Sequence, residues 1–306
     1  MMSRFLNYIE IKTKITSVFA FLYSLALLFA SHITINWRLT TSFFISMLVF
    51  DLTTTAINNY IDTKTNDQTL QFKRSIALVI IFVLFIIAAA FGLYLAYQTD
   101  GVVLAVGGVC FLFGVFYTYG PIPISRQPLG ELFSGLFYGL LIPFLLLYIN
   151  LPKGALVQYS VYSGTFTMSI RIIPVVKMLL FTIPPVCLTA NIMLANNICD
   201  VEKDVAVKRY TLPYYLGSKS LLLFVALNYL PYLALIIMVA IRMLPPLCLI
   251  SFATILIVKK NIKAFLDTQE KATTFINSIK NYVIIMGSFT LLIIISGFLA
   301  QTVNSL

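Results

Sequence analysis

The chain has 306 residues, of which 60% are hydrophobic and only 10% are charged, and it contains 25 Phe and 17 Tyr. A soluble domain of this length could not bury that much apolar surface, so the composition excludes a soluble globular protein and indicates an integral membrane protein. The formal net charge of +10 would suit a nucleic-acid partner. The basic residues lie in short connectors and not on a solvated domain, however, and we therefore expect no nucleic-acid partner.

Long apolar runs divide the chain into candidate membrane helices. A helix needs about 20 apolar residues to cross a hydrocarbon core of roughly 30 Å. In chain order, the nine predicted spans run approximately from Ile15 to Ile35, Leu39 to Ile61, Ser75 to Tyr97, Gly101 to Tyr117, Leu129 to Tyr148, Ile172 to Asn196, Leu221 to Ile241, Leu244 to Val258, and Tyr282 to Ala300. Continuous runs of this kind are not the ten-residue alternating segments of a membrane barrel. We predict an all-α, polytopic membrane protein with about nine helices in one domain, residues 1–306.

The basic residues are divided unevenly between the two predicted sides of the membrane. The N-terminal segment shares a side with the loops after helices two, four, six and eight, and this side holds most of the 21 Lys and Arg residues. The positive-inside rule places that side in the cytoplasm and the protein in the cytoplasmic membrane, in contact with lipid. The first apolar run is as long as a spanning helix, so we predict a membrane helix there and not a removed signal peptide.

Two polar stretches follow apolar helices on the predicted cytoplasmic side and resemble each other. NNYID occupies positions 58–62 and NNICD occupies positions 196–200; the first continues to Asn66 and Asp67, and the second to Asp204. Residues four apart share a helix face, so each copy predicts one polar stripe. We interpret the pair as an internal repeat, spanning 58–67 and 196–204, that puts the second and sixth helices in corresponding places.

Two facing stripes of carboxylates would repel each other without a cation between them. Hard oxygen ligands suit Mg²⁺, which keeps several waters and is usually bound through carboxylates and substrate phosphates. We therefore expect a Mg²⁺–diphosphate site whose substrate has an organic tail lying in the apolar bundle. The expected metal ligands are Asp62, Asp67, Asp200 and Asp204; the expected supporting amides are Asn58, Asn59, Asn196 and Asn197; the candidate diphosphate contacts are Lys64, Arg126 and Lys208.

A simpler interpretation of each stretch is helix capping, because Asp and Asn often end helices and face water. A single DxxxD pattern is weak evidence for a site, whereas its duplication at equivalent helix ends favours a joint site. The basic candidates have their own simple interpretation as positive-inside anchors.

These motifs resemble the UbiA superfamily of intramembrane aromatic prenyltransferases, which carry an NDxxDxxxD-like motif after helix two and a DxxxD motif after helix six. The similarity covers nearly the whole chain. YTYGP at 117–121 and GELF at 130–133 are similar to the YTGGP and GELF region of the menaquinone branch. The segment 196–217 is similar to that branch's NNxRDxxxDxxxxKxTLxxxLG. The chain departs from the family pattern at Asn59, where Asp is usual, at Cys199, where Arg is common, and at Asn66 followed by Asp67.

The resemblance implies a UbiA-like helix bundle with an apolar pocket and Mg²⁺-dependent transfer of a polyprenyl chain from its diphosphate to an aromatic acceptor. The branch it most resembles uses 1,4-dihydroxy-2-naphthoate, in menaquinone biosynthesis. Metal and basic side chains would neutralise the departing diphosphate. A water-poor pocket would protect the carbocation until a ring carbon of the acceptor attacks it.

Two further residues are predicted to belong to the catalytic site. Asp51 lies within helix two, seven residues before Asn58 and nearly on its face. An ionisable group at that depth is a functional candidate that could contact the acceptor or bind a proton; the alternative is a structural hydrogen bond. Tyr117 is predicted to line the pocket, with membrane-interface anchoring as the alternative.

Two rival functions remain open at this point. A transporter also uses internal repeats and paired acids, and Pro184 and Pro185 interrupt helix six as transporter helices are interrupted. Transporter sites, however, usually lie near the bilayer midplane, whereas these acids lie at helix ends. The nearer rival is the same enzyme class with another acceptor: 4-hydroxybenzoate, a haem or a glycerol phosphate. Nothing in the sequence indicates a protein partner.

Overall fold

The computed structural model describes residues 2–63, 69–120 and 123–304. Lys64, Asn66 and Asp67, which the sequence analysis included in the first motif, lie outside these ranges. The α-helices are α1 Met2–Tyr8, α2 Ile15–Ala30, α3 Trp37–Asp62, α4 Arg74–Gln98, α5 Gly101–Phe116, α6 Gly130–Ser134, α7 Ile142–Asn150, α8 Ile172–Ala206, α9 Leu212–Leu216, α10 Lys219–Ala240, α11 Ile255–Asp267 and α12 Ile276–Asn304.

Within these ranges, six segments are long and apolar enough to cross a membrane: Trp37–Asp62, Arg74–Gln98, Gly130–Asn150, Ile172–Ala206, Lys219–Ala240 and Ile276–Gln301. Two predicted spans are shorter helices, α2 and α5, of 16 residues each. Sixteen residues extend only about 24 Å, less than a bilayer core. The protein is therefore a multi-pass membrane protein, and the predicted count of nine spans is not confirmed.

The eighth predicted span is not one continuous α-helix. A 3₁₀ helix occupies Pro246–Thr254, and α11 begins after it at Ile255. Pro245 and Pro246 stand at the start of the 3₁₀ helix, where the missing backbone N–H groups cost no helical hydrogen bond. The apolar run from 244 to 258 is thus divided between two kinds of helix.

The connector between α7 and α8 contains the strands β1 Val157–Tyr162 and β2 Thr165–Ile170, which pair in antiparallel register. The turn residues Ser163 and Gly164 both have positive φ, 48° and 76°, as tight hairpins require. Both strands are rich in β-branched and aromatic residues, which favour this conformation. The prediction of an all-α chain is wrong for this connector, although the spanning part is helical.

Close backbone packing positions the long helix α8. A π-helical segment, Gly135–Leu141, joins α6 to α7 and packs against α8 beside Pro184 and Pro185. A Cβ atom on Gly139 would lie 2.3 Å from the backbone of Val186, so only glycine allows this approach. The contact sets where the polar end of α8 lies relative to α6.

Candidate functional site at the ends of α3 and α8

The second polar motif lies on the last turns of α8, and two of its side chains accept hydrogen bonds from the same lysine. Lys271, in the connector between α11 and α12, donates hydrogen bonds to Asn196 Oδ1 and to Asp200 Oδ2. Asp204, one turn further along, pairs with Arg209 at 3.6 Å. The predicted stripe Asn196–Asp200–Asp204 therefore exists, and each of its acids has its own basic partner.

Arg209 connects the two motifs electrostatically. After α8 ends, Lys208 adopts a positive φ of 57°, and the chain turns back so that Arg209 N donates to the Asp204 carbonyl at 2.8 Å. Its guanidinium Nε donates to the Ser125 carbonyl at 2.8 Å. From this position its charge acts on the carboxylates of both Asp204 and Asp62. The ends of α3 and α8 therefore belong to one charged site.

Lys208 was predicted from the sequence as a diphosphate contact, whereas Arg209 was not. The Lys208 side chain is exposed, whereas Arg209 faces the acids. The signal was present in the sequence, because the family pattern has its basic residue five positions after the second aspartate, and that position is 209 here. Arg126 is also exposed, and its charge acts on Asp62.

In the first motif the two asparagines make contacts within the protein. Asn58 Oδ1 accepts a hydrogen bond from Thr118 Oγ1. Asn59 Nδ2 donates to the Tyr8 carbonyl at 2.8 Å and to Glu10 Oε1 at 3.2 Å. Asp62 is the last residue of α3. Asn59 thus ties the N-terminal segment to α3. Its described hydrogen bonds do not include one to Asp200 or Asp204.

Glu131 is a site residue that sequence reasoning missed, although it stands within the GELF motif. It is only 4% exposed, and its Oε1 accepts a hydrogen bond from Asn197 Nδ2 at 2.8 Å. The second oxygens of this pair, Glu131 Oε2 and Asn197 Oδ1, are buried and have no hydrogen-bonding partner among the described residues, and the same is true of Asp204 Oδ2, two turns further along α8. Buried oxygens without donors are costly, so each of these positions favours a ligand that supplies a donor or a cation.

No three His, Cys, Asp or Glu side chains within residues 2–63, 69–120 and 123–304 lie close enough together to hold a metal ion. The predicted set of four carboxylates includes Asp67, which lies outside those ranges, so the full set remains a prediction. A protein cage of that size is not required for Mg²⁺, which is usually held by one or two carboxylates together with substrate phosphates. The unpartnered oxygen of Asp204 fits such a role.

An apolar cavity of about 450 Å³ begins beside these polar residues. Asn58, Tyr117 and Met193 line it near the motifs, and its lining on α3 extends back to Phe43. Fifteen residues of helix rise about 22 Å, so the cavity follows much of the length of α3. Phenylalanines from six positions line it: Phe43, Phe50, Phe111, Phe113, Phe133 and Phe137.

Tyr117 lies where the cavity meets the polar residues. Its hydroxyl is 4.0 Å from Met193 Sδ, and a Cβ atom on Gly130 would lie 3.3 Å from it. The phenol hydroxyl can donate or accept a hydrogen bond at this boundary.

Asp51 provides a buried charged group in the cavity wall. Its Oδ1 accepts hydrogen bonds from Lys14 Nζ and Tyr138 OH, both at 2.8 Å, and its Oδ2 accepts one from Ser17 Oγ at 2.7 Å. The Lys14 and Asp51 side chains are each 5% exposed. The sequence predicted no such pair, because Lys14 precedes the first apolar run, where a lysine is ordinary in a positive-inside pattern.

Comparisons with known proteins identify the family and the fold. The model of the UbiA prenyltransferase family matches residues 17–280. A 1,4-dihydroxy-2-naphthoate octaprenyltransferase from Bacillus subtilis (strain 168) is 29% identical over 143 residues, which are 47% of this chain and 40% of that relative's length. The chain thus spans less than half of the curated relative that it matches.

Two solved structures are similar over nearly their whole length. One comes from a study of digeranylgeranylglyceryl phosphate synthase, with a TM-score of 0.62, 17% identity, and coverage of 97% of this chain and 98% of that one. The other is a UbiA homologue from Archaeoglobus fulgidus bound to GPP and Mg²⁺, with a TM-score of 0.60, 15% identity, and coverage of 96% and 98%. At these identities the similarity establishes the fold.

Proposed function

Since this chain belongs to the UbiA prenyltransferase family, we propose that it transfers a polyprenyl chain from its diphosphate to an aromatic acceptor. The observation that carries the proposal is the continuity between the charged site and the apolar cavity. Asn58 belongs to the first motif and also lines the cavity, so one substrate can place its diphosphate at the helix ends and its tail along α3.

The residues at the helix ends suit a metal–diphosphate complex. Asp62, Asp200 and Asp204 would hold Mg²⁺ together with the diphosphate, with Asp67 as the further ligand proposed from the sequence. When bound there, Mg²⁺ would neutralise charge that develops on the leaving group. Arg209 and Arg126 bring fixed positive charge to the same place, and we propose that both contact the diphosphate, with Lys64 and Lys208 as further candidates.

The cavity supplies the conditions that an allylic carbocation needs. Its walls are mostly apolar and aromatic, so water is largely excluded while the allylic C–O bond breaks. Tyr117 stands at the boundary between cavity and charged site, and we propose that its phenol orients the reacting end of the prenyl chain. Asn58, Asn196 and Asn197 would position the diphosphate and its metal ligands.

We propose that Asp51 contacts the acceptor. It lies seven residues before Asn58 on α3, about 10 Å deeper along the helix, and it lines the cavity. Its carboxylate, which Lys14 contacts at 2.8 Å, could accept a hydrogen bond from an acceptor hydroxyl. Such a bond would increase the electron density of the aromatic ring that attacks the prenyl carbon.

The acceptor we propose is 1,4-dihydroxy-2-naphthoate, which would make the reaction a step of menaquinone biosynthesis. The support is the named relative, 29% identical over 143 residues, and the YTYGP and GELF segments. We further propose that the site faces the cytoplasm, because the positively charged connectors lie on its side of the sequence-derived topology.

The decisive experiment incubates purified protein with Mg²⁺, a labelled polyprenyl diphosphate and separate acceptors: 1,4-dihydroxy-2-naphthoate, 4-hydroxybenzoate, a haem and a glycerol phosphate. We expect prenylation of the naphthoate with loss of CO₂, abolished by EDTA and restored by Mg²⁺. Product with another acceptor only would refute the naphthoate assignment. Turnover that persists in chelator would refute the metal site.

A further inference from the structure

Lys271 is a cation that neither the motifs nor the family pattern assign to the site. It lies in the connector between α11 and α12, far along the chain from both motifs. Its ammonium nevertheless contacts Asn196 and Asp200 together. These are two of the side chains that a Mg²⁺–diphosphate complex would use, so Lys271 stands where the substrate's charged group must arrive.

Hydrogen bonds within the α11–α12 connector fix its backbone on both sides of Lys271. Thr274 Oγ1 donates to the Thr268 carbonyl at 2.7 Å and accepts from Glu270 N at 2.9 Å. Thr273 Oγ1 donates to Glu270 Oε2 at 2.8 Å. These bonds close the connector on itself. The Lys271 ammonium also lies 5.4 Å from the ring centre of Phe275, a favourable cation–π distance.

The ion pair that Lys271 forms is easy to exchange. Its side chain is 43% exposed and that of Asp200 is 20% exposed. Exposed ion pairs contribute little to stability because water competes for both partners. By contrast, the Lys14–Asp51 pair, at 5% exposure on each side, could not open without leaving a buried charge unpaired. Lys271 can therefore release Asp200 when a better anion is present.

We infer that Lys271 is a diphosphate-binding residue, which exchanges its contacts with Asp200 and Asn196 for the diphosphate when substrate binds. A lysine ammonium has three donors and a flexible stem, so it can follow a partner that enters from the solvent side. The exchange leaves Asp200 free for the metal. This inference rests on the proposed function, because it requires a diphosphate substrate.

The test compares Lys271→Gln, Lys271→Arg and a control, Lys263→Gln, which removes one exposed charge from the neighbouring helix α11. The binding of inorganic pyrophosphate in Mg²⁺ buffer is measured by calorimetry on the purified protein. Loss of a hydrogen bond to a charged group should weaken binding roughly 10- to 100-fold in Lys271→Gln. We expect Lys271→Arg to keep most of the affinity, and Lys263→Gln to match the wild type.

Melting temperatures without ligand provide the second measurement. A lysine that serves only as an anchor for the connector would lower the melting temperature of Lys271→Gln and leave pyrophosphate binding unchanged, which would overturn the inference. Tighter binding in Lys271→Gln, an equal loss in Lys263→Gln, or no binding by the wild type would also overturn it. If the wild type binds pyrophosphate through Lys271 but prenylates no acceptor, the proposed function fails while the inference stands.

Discussion

The two polar motifs look alike in sequence but make different contacts in the structure. At the end of α3, Asn59 uses its amide to hold the N-terminal segment. At the end of α8, the corresponding Asn197 is 1% exposed, binds Glu131 through its amide nitrogen, and keeps a buried oxygen that no described residue satisfies. One copy thus helps to join helices, whereas the other keeps a buried oxygen that is open to a ligand.

The difference shows that a repeat in sequence does not make its copies structurally equal. The α8 copy has two acids with separate basic partners, Lys271 and Arg209. The α3 copy has Asn59 where the family usually has an acid, and that change coincides with the contact to Tyr8 and Glu10. Asp62 is then the residue by which the first copy contributes charge to the site, together with Asp67 in the proposal.

The largest expected effect comes from removing charge from either copy. Asp200→Asn and Asp62→Asn preserve shape and the ability to cap a helix, but they remove negative charge from the metal–diphosphate site. Loss of one such electrostatic contact commonly costs on the order of 10²–10³ in rate. We expect that loss in both variants, measured as product formation, with melting in detergent little changed. Full activity in both variants would mean that Asp62 and Asp200 only cap their helices and hold no metal.

The sequence predicted those acids because their type and spacing are local properties. It also predicted the membrane class and most helices, because long apolar runs leave few alternatives. It could not place Glu131 beside Asn197, 66 positions apart, or Lys271 beside Asp200, 71 positions apart. Such pairs depend on how the helices pack, and no local pattern encodes them.

The same limit explains the Lys14–Asp51 pair. A lysine before the first apolar helix is ordinary in a positive-inside pattern, and its burial follows only from the approach of α2 to α3. The hairpin between α7 and α8 was missed for another reason. Its strands are short, and the search for long apolar runs assigns no structure to the residues between the fifth and sixth predicted spans.

The second prediction tests the contrast between the asparagines. Asn197→Asp replaces a donor to Glu131 with a second carboxylate in a buried site, and we expect a loss of about 3 kcal/mol in the free energy of unfolding. Asn59→Asp also loses its amide donors and brings a second carboxylate near Glu10. Because residue 59 is partly exposed, we expect a smaller loss, about 1 kcal/mol in the free energy of unfolding. Chemical denaturation in detergent measures both. Equal losses would contradict the structural distinction between the copies.

The third prediction moves the α8 motif without changing any polar residue. A Cβ atom on Gly139 would lie 2.3 Å from the Cα and N atoms of Val186. That contact is with backbone, so α8 must shift, and overpacking of this kind typically costs about 1–3 kcal/mol. We expect Gly139→Ala to lower the melting temperature and to reduce activity, because the shift carries Asn197 and Asp200 away from the end of α3.

Gly107→Ala is the matched control for that variant. Gly107 lies on α5 and lines the cavity, and a Cβ atom there would meet nothing within 4 Å. Alanine also favours helix over glycine by roughly 0.5–1 kcal/mol, so we expect unchanged or slightly higher stability. A Gly139→Ala protein as stable and active as Gly107→Ala would show that the close approach of the π-helical segment to α8 does not position the second motif. The two copies would then have to be aligned by the charged contacts alone, chiefly those of Arg209.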